Sequence, residues 1–460
     1  MKIFLALLPL VLATPAAAYY GRNATEAVLS FDAVLDVPYP GPVDLAAWNG
    51  AGDVHDRMIE AVRTQVLHLD GVFHSEDFAK KWGGPASCGP WYEKGNFRAT
   101  FTEVVPGADS GRARVRYHFE ATIVVQKDPL RRNENADMQI WLPYASDLIY
   151  GYGVVKKKNL CTDAEDNAPD SFYYYWDPHR AGCPLLKTHP ESIQWITANV
   201  KRLANTRISY PQYDQLYKDG LPKPTVNIAI FWGYISHGMK ARKPYYRDDG
   251  YAAMKLVTDN LKDIGYRETE YRPHFAVSAD GALDESGGPN VSRKMEKNVK
   301  VGDRDVLVRI SMLLSDTAIG ATDPTFHYYV KPALNDADIF IYDGHSGDGD
   351  NLSPTKLGLS PPTAEKYQVF FINGCDSYIN YLSQFVTARG GLNKLDLVIS
   401  GTPTDAAASA PNDWAFLEPF ANLRTLSYQK MLDTIEKSYP QDSTFLLGVK
   451  GDEKNTWRPR

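Results

Sequence analysis

"TVNIAIFWGY", residues 225–234, is the kind of unbroken apolar run found in a strand buried on both faces of a sheet. The next segment, "YAAMKLVTDNLKDIGY" (251–266), places Ala253, Leu256, Val257 and Leu261 on one helical face. Three more short apolar runs follow: "ADIFIYDGHSG" (337–347), "YQVFFINGCDS" (367–377) and "LDLVISGTPTD" (395–405). Between the last two lies "SYINYLSQFVTARGG" (377–391), a helix with a glycine stop. The mixed stretch 267–315, including "RDVLVRISMLL", predicts strands around a surface loop. A long final helix is expected over 412–439, bent or split at Pro419. Buried strands alternating with helices predict an α/β domain over 206–460, with a mainly parallel sheet flanked by helices.

Upstream the pattern differs. "FRATFTEVV" (97–105) and "ARVRYHFEATIVVQ" (113–126) alternate apolar and polar residues, as half-buried antiparallel strands do. "DVHDRMIEAVRTQVLHL" (53–69) has helical spacing of Met58, Val62, Val66 and Leu69. Residues 19–205 are therefore expected to form a β-rich α+β domain. Residues 1–18 carry Lys2, an apolar stretch from Ile3 to Ala13, and Ala16-Ala17-Ala18. That is the form of a secretory signal peptide cleaved near Ala18; its apolar run is too short to span a bilayer. An exported chain is expected, secreted or periplasmic, without a transmembrane segment. The net charge of −6 and the lack of a basic block argue against nucleic acid as a partner.

Export bears on the four cysteines, since thiols oxidise there. Cys161 and Cys183 flank a segment rich in Asp, Asn and Pro, and a disulfide closing that loop is the economical pairing. If Cys88 paired with Cys375 instead, the second thiol would be unavailable. Zinc at His179, Cys183 and His189 fits no standard spacing, and no metal site is assigned. Asp348 and Asp350, with Asn351, have the alternating oxygen spacing that can hold Ca²⁺. Sequons occur at Asn23, Asn290 and Asn351.

The chemistry lies at strand ends. Reactive groups in open α/β sheets gather at the carboxyl edge. There "IFIYDGHSG" delivers His345 and "VFFINGCDS" delivers Cys375. An imidazole beside a thiol raises the thiolate population and suits nucleophilic catalysis. Gly344, Gly347 and Gly374 permit tight turns, and the backbone N–H groups of Cys375 and of Ser346 or Gly347 are oxyanion-hole candidates. His237, in "GYISHGMK", is a rival histidine that would line the cleft. Asp343, Asp376 and Asp405 are candidate substrate-binding carboxylates, which would favour Arg or Lys in a substrate.

An apolar strand ending in His beside Gly, then one ending in Gly-Cys, resembles the two active-site blocks of caspase-like cysteine peptidases. That group holds caspases, legumains, gingipains and clostripain. The resemblance spans about residues 222–430 and implies the caspase-haemoglobinase fold, Cys375 as nucleophile, His345 as general base and acid, and a peptide or protein substrate. Two other readings stay open. One is a catalytically inactive relative that binds a ligand. The other is a surface or adhesion protein using the Tyr-rich N-terminal half.

Overall fold

The computed structural model describes residues 19–39, 41–89, 96–105, 111–130, 133–164, 166–203, 207–217, 225–235, 246–316, 323–359, 366–439 and 445–459. The signal-peptide reading falls on residues outside these. Strand β1 (Tyr19–Tyr20) leads into a six-stranded antiparallel sheet. Its members are β2 (Ala24–Pro38), β3 (Ala86–Ser87), β4 (Phe97–Val104), β5 (Arg112–Gln126), β6 (Asn135–Pro143) and β9 (Ile193–Arg202); β7 (Val154–Val155) and β8 (Lys158–Asn159) form a separate ribbon. In the first part of β5 the alternation holds: Val115, Tyr117 and Phe119 are buried, while Arg116, His118 and Glu120 face solvent; from Ile123 to Gln126 every residue is buried.

Helices α1 (Leu45–Asn49), α2 (Asp53–Val66), α3 (His68–His74) and α4 (Glu76–Trp82) supply Trp48, Met58, Val62, Phe73 and Phe78 to the core beneath this sheet. Ser75 ends α3 and caps α4, its hydroxyl accepting from the Phe78 N–H at 3.3 Å. Two short helices, α5 (Ser146–Tyr152) and α6 (Leu185–Thr188), border the segment closed by the Cys161–Cys183 disulfide. Closing 22 residues restricts the unfolded chain. Replacing both cysteines by serine is expected to cost about 3 kcal/mol, read as a lower denaturant midpoint with unchanged slope.

The second sheet has ten strands. After α7 (Tyr213–Tyr217) come β10 (Thr225–Gly233), α8 (Asp249–Asp263), β11 (Arg267–Val277), β12 (Leu283–Asp284), β13 (Asn290–Val301) and β14 (Arg304–Ser315). Then follow α9 (Pro324–Asp336), β15 (Ile339–Asp343), β16 (Gln368–Asn373), α10 (Ser377–Arg389), β17 (Leu395–Ser400), α11 (Ser409–Ala421), α12 (Tyr428–Glu436) and β18 (Leu447–Lys450). The strand order is β1-β18-β17-β16-β15-β10-β14-β13-β11-β12. Strands β14, β10, β15, β16 and β17 pair in parallel. Every other pairing among the described residues is antiparallel.

The expectation of a mainly parallel, caspase-like sheet is therefore corrected: the sheet is mixed, and the chain as a whole is mostly antiparallel. The reason is physical. Residues 267–315 form an antiparallel meander rather than helix-linked crossovers, and β18 returns to pair with both β17 and β1. Two smaller expectations also change. Leu256 is 41% exposed on α8, whereas Ala253, Val257 and Leu261 are buried. The last helix divides after Ala421, where Leu423 takes a left-handed φ of 50°, and Pro419 lies inside α11.

Alternate residues of the parallel strands enter different cores. Ile341 and Phe371 pack with α8, α11 and α12; Tyr342 and Ile372 pack with α9 and α10. Helix α10 also joins the halves. Its Ile379 belongs to the N-terminal core, and Tyr378 donates to Glu26 at 3.3 Å. Lys450 of β18 meets the same buried Glu26 carboxylate at 2.7 Å. Among the described residues no helix is long and apolar enough to cross a membrane.

Candidate active site

Register brings the two blocks together. From Ile339↔Val369 to Asp343↔Asn373, β15 and β16 pair with a constant offset of 30 residues. His345 and Cys375 share that offset two residues beyond the last rung, at the carboxyl ends of neighbouring strands about 4.8 Å apart. Both backbones are pinned. The His345 carbonyl accepts from Tyr342 Oη (2.6 Å) and Asn351 Nδ2 (2.9 Å). The Cys375 carbonyl accepts from Ser346 Oγ (2.6 Å) and Asn380 Nδ2 (3.2 Å).

The exposed His345 ring is oriented by a third strand end. Its Nε2 lies 3.1 Å from the Ile235 carbonyl, just past β10. A carbonyl only accepts, so Nε2 carries the proton and neutral Nδ1 keeps its lone pair for a base's role. Ile235 is held in turn by Asp248, the N-cap of α8, which accepts its N–H at 3.1 Å. Asp248 and Ile235 were not singled out by the sequence reading. A capping Asp before the helix at "GYAAMKL" was a legible signal for the first; nothing local marks a carbonyl.

Cys375 is free and half-buried, and Cys88 is free and buried, so the rival Cys88–Cys375 disulfide does not form. The Cys375 Sγ faces Thr404 Oγ1 at 4.0 Å rather than the His345 ring. Burial pushes this thiol above its ordinary range; hydrogen bonding from Thr404 pulls the other way. Cys375 precedes Asp376, which has a left-handed φ of 49° and opens α10. Among the described backbone hydrogen bonds outside helices and strands, none uses the N–H of Cys375, Ser346 or Gly347, the oxyanion-hole candidates.

Gly374 matters for close approach. A Cβ there would stand 2.7 Å from Ser346 Oγ and 3.1 Å from the Gly344 carbonyl. Gly374→Ala is expected to displace Ser346 from the Cys375 carbonyl and spread the two strand ends. The predicted result is a folded protein destabilised by about 1–3 kcal/mol. Denaturant melts of the variant and the wild type side by side check it.

No family model matches the chain, and no curated protein matches it.

The other predicted site residues separate. Asp343 is 2% exposed and accepts from Asn373 Nδ2 (3.0 Å) and Ser409 Oγ (3.1 Å). Burial raises its carboxyl to about 6, and Asp413, which accepts from Trp232 Nε1 at 2.6 Å, is raised further by burial and by Asp343. This is an internal acid pair beneath the rim, out of reach of a substrate. Asp405 is exposed and caps the turn before α11 by accepting the Ala407 N–H at 2.9 Å. His237 lies outside the described residues.

Asp376 meets the N-terminal half: its Oδ1 is 3.4 Å from Nε2 of half-buried His74. Burial alone would lower the His74 imidazole, but Asp376 and Asp70 outweigh it and hold it at about 9. Asp350 pairs with Lys356. Among the described residues no three Asp, Glu, His or Cys side chains converge on a metal-sized point. Of the sequons, Asn23 is exposed, whereas Asn290 and Asn351 are buried with their amides donating to the Phe275 and His345 carbonyls.

Proposed function

We propose that the chain is an exported cysteine peptidase that cleaves peptide bonds through a thioester on Cys375. The observation that carries this reading is the shared register of His345 and Cys375, with the His345 ring held by the Ile235 carbonyl. This chemistry requires the Cys375 side chain to turn from Thr404 so that Sγ meets Nδ1. His345 Nδ1 takes the thiol proton as sulfur attacks the scissile carbonyl. The developing oxyanion is received by the N–H groups of Cys375 and Gly347. The imidazolium returns the proton to the leaving amine. Water, deprotonated by the same nitrogen, then releases the acid and restores the thiol. The sequence resemblance of the two strand-end blocks to cysteine peptidases supports the chemistry, not the fold. The apolar leader and the Cys161–Cys183 disulfide support export.

A second reading has one observation in its favour. The resting thiol is shielded and turned toward Thr404, as in a protein that binds a peptide without cutting it. Incubating the purified protein with a mixed peptide pool, and identifying products by mass, separates the two. Defined cleavage by the wild type, absent in Cys375→Ala, supports the peptidase. Intact peptides, or cleavage unchanged in the variant, reject it.

A further inference from the structure

The last rung of the parallel strands that carry the site is polar. Trp232 of β10, Asp343 of β15 and Asn373 of β16 stand side by side in register, Trp232↔Asp343 and Asp343↔Asn373. Behind each lies an apolar row on the face covered by α11: Ile228 and Ile230, Ile339 and Ile341, Val369 and Phe371. Ahead of each lies a residue of the candidate site. Ile235 comes three positions after Trp232, and His345 and Cys375 come two positions after Asp343 and Asn373. Helix α11 lays buried Ser409 and Asp413 against this rung.

The four carboxyl oxygens here can be accounted for one by one. Asp343 Oδ1 accepts from Ser409 Oγ at 3.1 Å, and its Oδ2 accepts from Asn373 Nδ2 at 3.0 Å. Tyr439 Oη donates to Asn373 Oδ1 at 3.4 Å, which turns the amide nitrogen to the acids. Asp413 Oδ2 accepts from Trp232 Nε1 at 2.6 Å. Asp413 Oδ1 is buried with no donor. The two carboxyl groups meet, and among the described residues no cation acts on Asp343. The groups that feel their charge, Tyr439 and the Cys375 thiol, carry no positive charge in any state. Two ionised carboxylates without a cation repel strongly in a dry site, so one proton stays between them. On Asp413 Oδ1 that proton supplies the missing hydrogen bond. Asp343, already facing two donors, is the carboxylate that accepts it.

We propose that Asp413 is a positioning residue: the proton it shares with Asp343 latches the ends of β10, β15 and β16 to α11, at the spacing that sets the Ile235 carbonyl, His345 and Cys375 together. Neither carboxyl touches a substrate. Hydrogen bonds are directional and fix three strand ends at one spacing, where apolar contacts alone would let them slide. This inference rests on His345 and Cys375 as a working pair, so its test includes readouts that need no turnover.

Asp413→Asn puts an amide N–H where the shared proton lies and keeps an oxygen for Trp232. It is expected to hold kcat and KM within threefold of the wild type. Asp413→Ala removes the latch. It is expected to lower kcat at least thirtyfold with KM within threefold, and to slow alkylation of Cys375 by iodoacetamide at least fivefold, a rate that Asp413→Asn leaves unchanged. Should Asp413→Ala fail to fold, Ser409→Ala takes its place: it removes one donor from Asp343 and is expected to slow alkylation at least twofold. Infrared difference spectra at pH 7 read the proton itself. The wild type should show one carboxylic-acid carbonyl band that Asp413→Asn lacks. Absence of that band, equal losses in Asp413→Asn and Asp413→Ala, or unchanged alkylation in the alanine variant overturns the proposal. The band together with slowed alkylation, in a protein whose wild type hydrolyses no peptide, would sustain the latch and reject the peptidase.

Discussion

Cys375→Ala is expected to bring peptide hydrolysis to background, and His345→Ala to lower kcat by about 10²–10⁴-fold with KM little changed. The two losses differ because the two groups act differently. Without sulfur no thioester forms, and the Ser346 hydroxyl at that rim is committed to the Cys375 carbonyl. Without the imidazole the thiol remains, but burial holds it in its protonated form, and sulfur must then attack without a base. KM is expected to hold because the His345 ring is anchored on Ile235 rather than committed to binding a substrate. Steady-state kinetics on a single cleaved peptide measure both. A His345→Ala enzyme retaining more than a tenth of wild-type kcat would remove the imidazole from the mechanism.

Stability is expected to peak near pH 5 and to fall as pH rises to 8 and beyond. Burial is the first cause for each carboxyl involved. It raises Asp343 to about 6, Asp70, Asp396 and Glu436 to about 7, and Asp452 to about 8. A raised carboxyl keeps in the folded chain a proton that the unfolded chain releases near pH 4. Its stabilisation is lost as pH climbs from there to the raised value. His74, at about 9, acts in the same direction: its contribution is whole below pH 6.5 and is lost through pH 9. His68, lowered to about 4 by burial, opposes on the acid side, where the folded protein must hold it neutral. Denaturant melts across that range check this. A free energy of unfolding that is flat or rising from pH 5 to 8 would contradict it.

The sequence reveals strands and their burial better than their partners. "TVNIAIFWG", "IFIYD", "QVFFIN" and "LDLVIS" each form a strand buried on both faces. A fully apolar strand demands cover on both sides, whatever direction its neighbours run. Direction is a separate matter. β11 and β13 carry charged residues such as Glu270, Arg272 and Lys294, and their period of two fits either pairing. Nothing local in Tyr19-Tyr20 announces that it will pair with Val449 and Gly448 at the far end of the chain.

The site divides in the same way. His345 and Cys375 were legible because glycine-flanked strand ends are short, local signals. Asp343 was misplaced because a carboxylate ending a strand reads alike whether it faces solvent or, as here, a second buried acid. Asp70 and His74 escaped notice because α3 is short and almost wholly buried, with no periodic face to read. Only its docking against the start of α10 sets His74 beside Asp376.

The central claim is that His345 activates Cys375. Labelling the folded protein at pH 7 with iodoacetamide, and following each cysteine by peptide mass, tests it most directly. The account predicts that Cys375 reacts while buried Cys88 does not, and that His345→Ala slows the Cys375 reaction at least tenfold without altering the fold. A Cys375 that reacts at the same rate with and without the imidazole would contradict it.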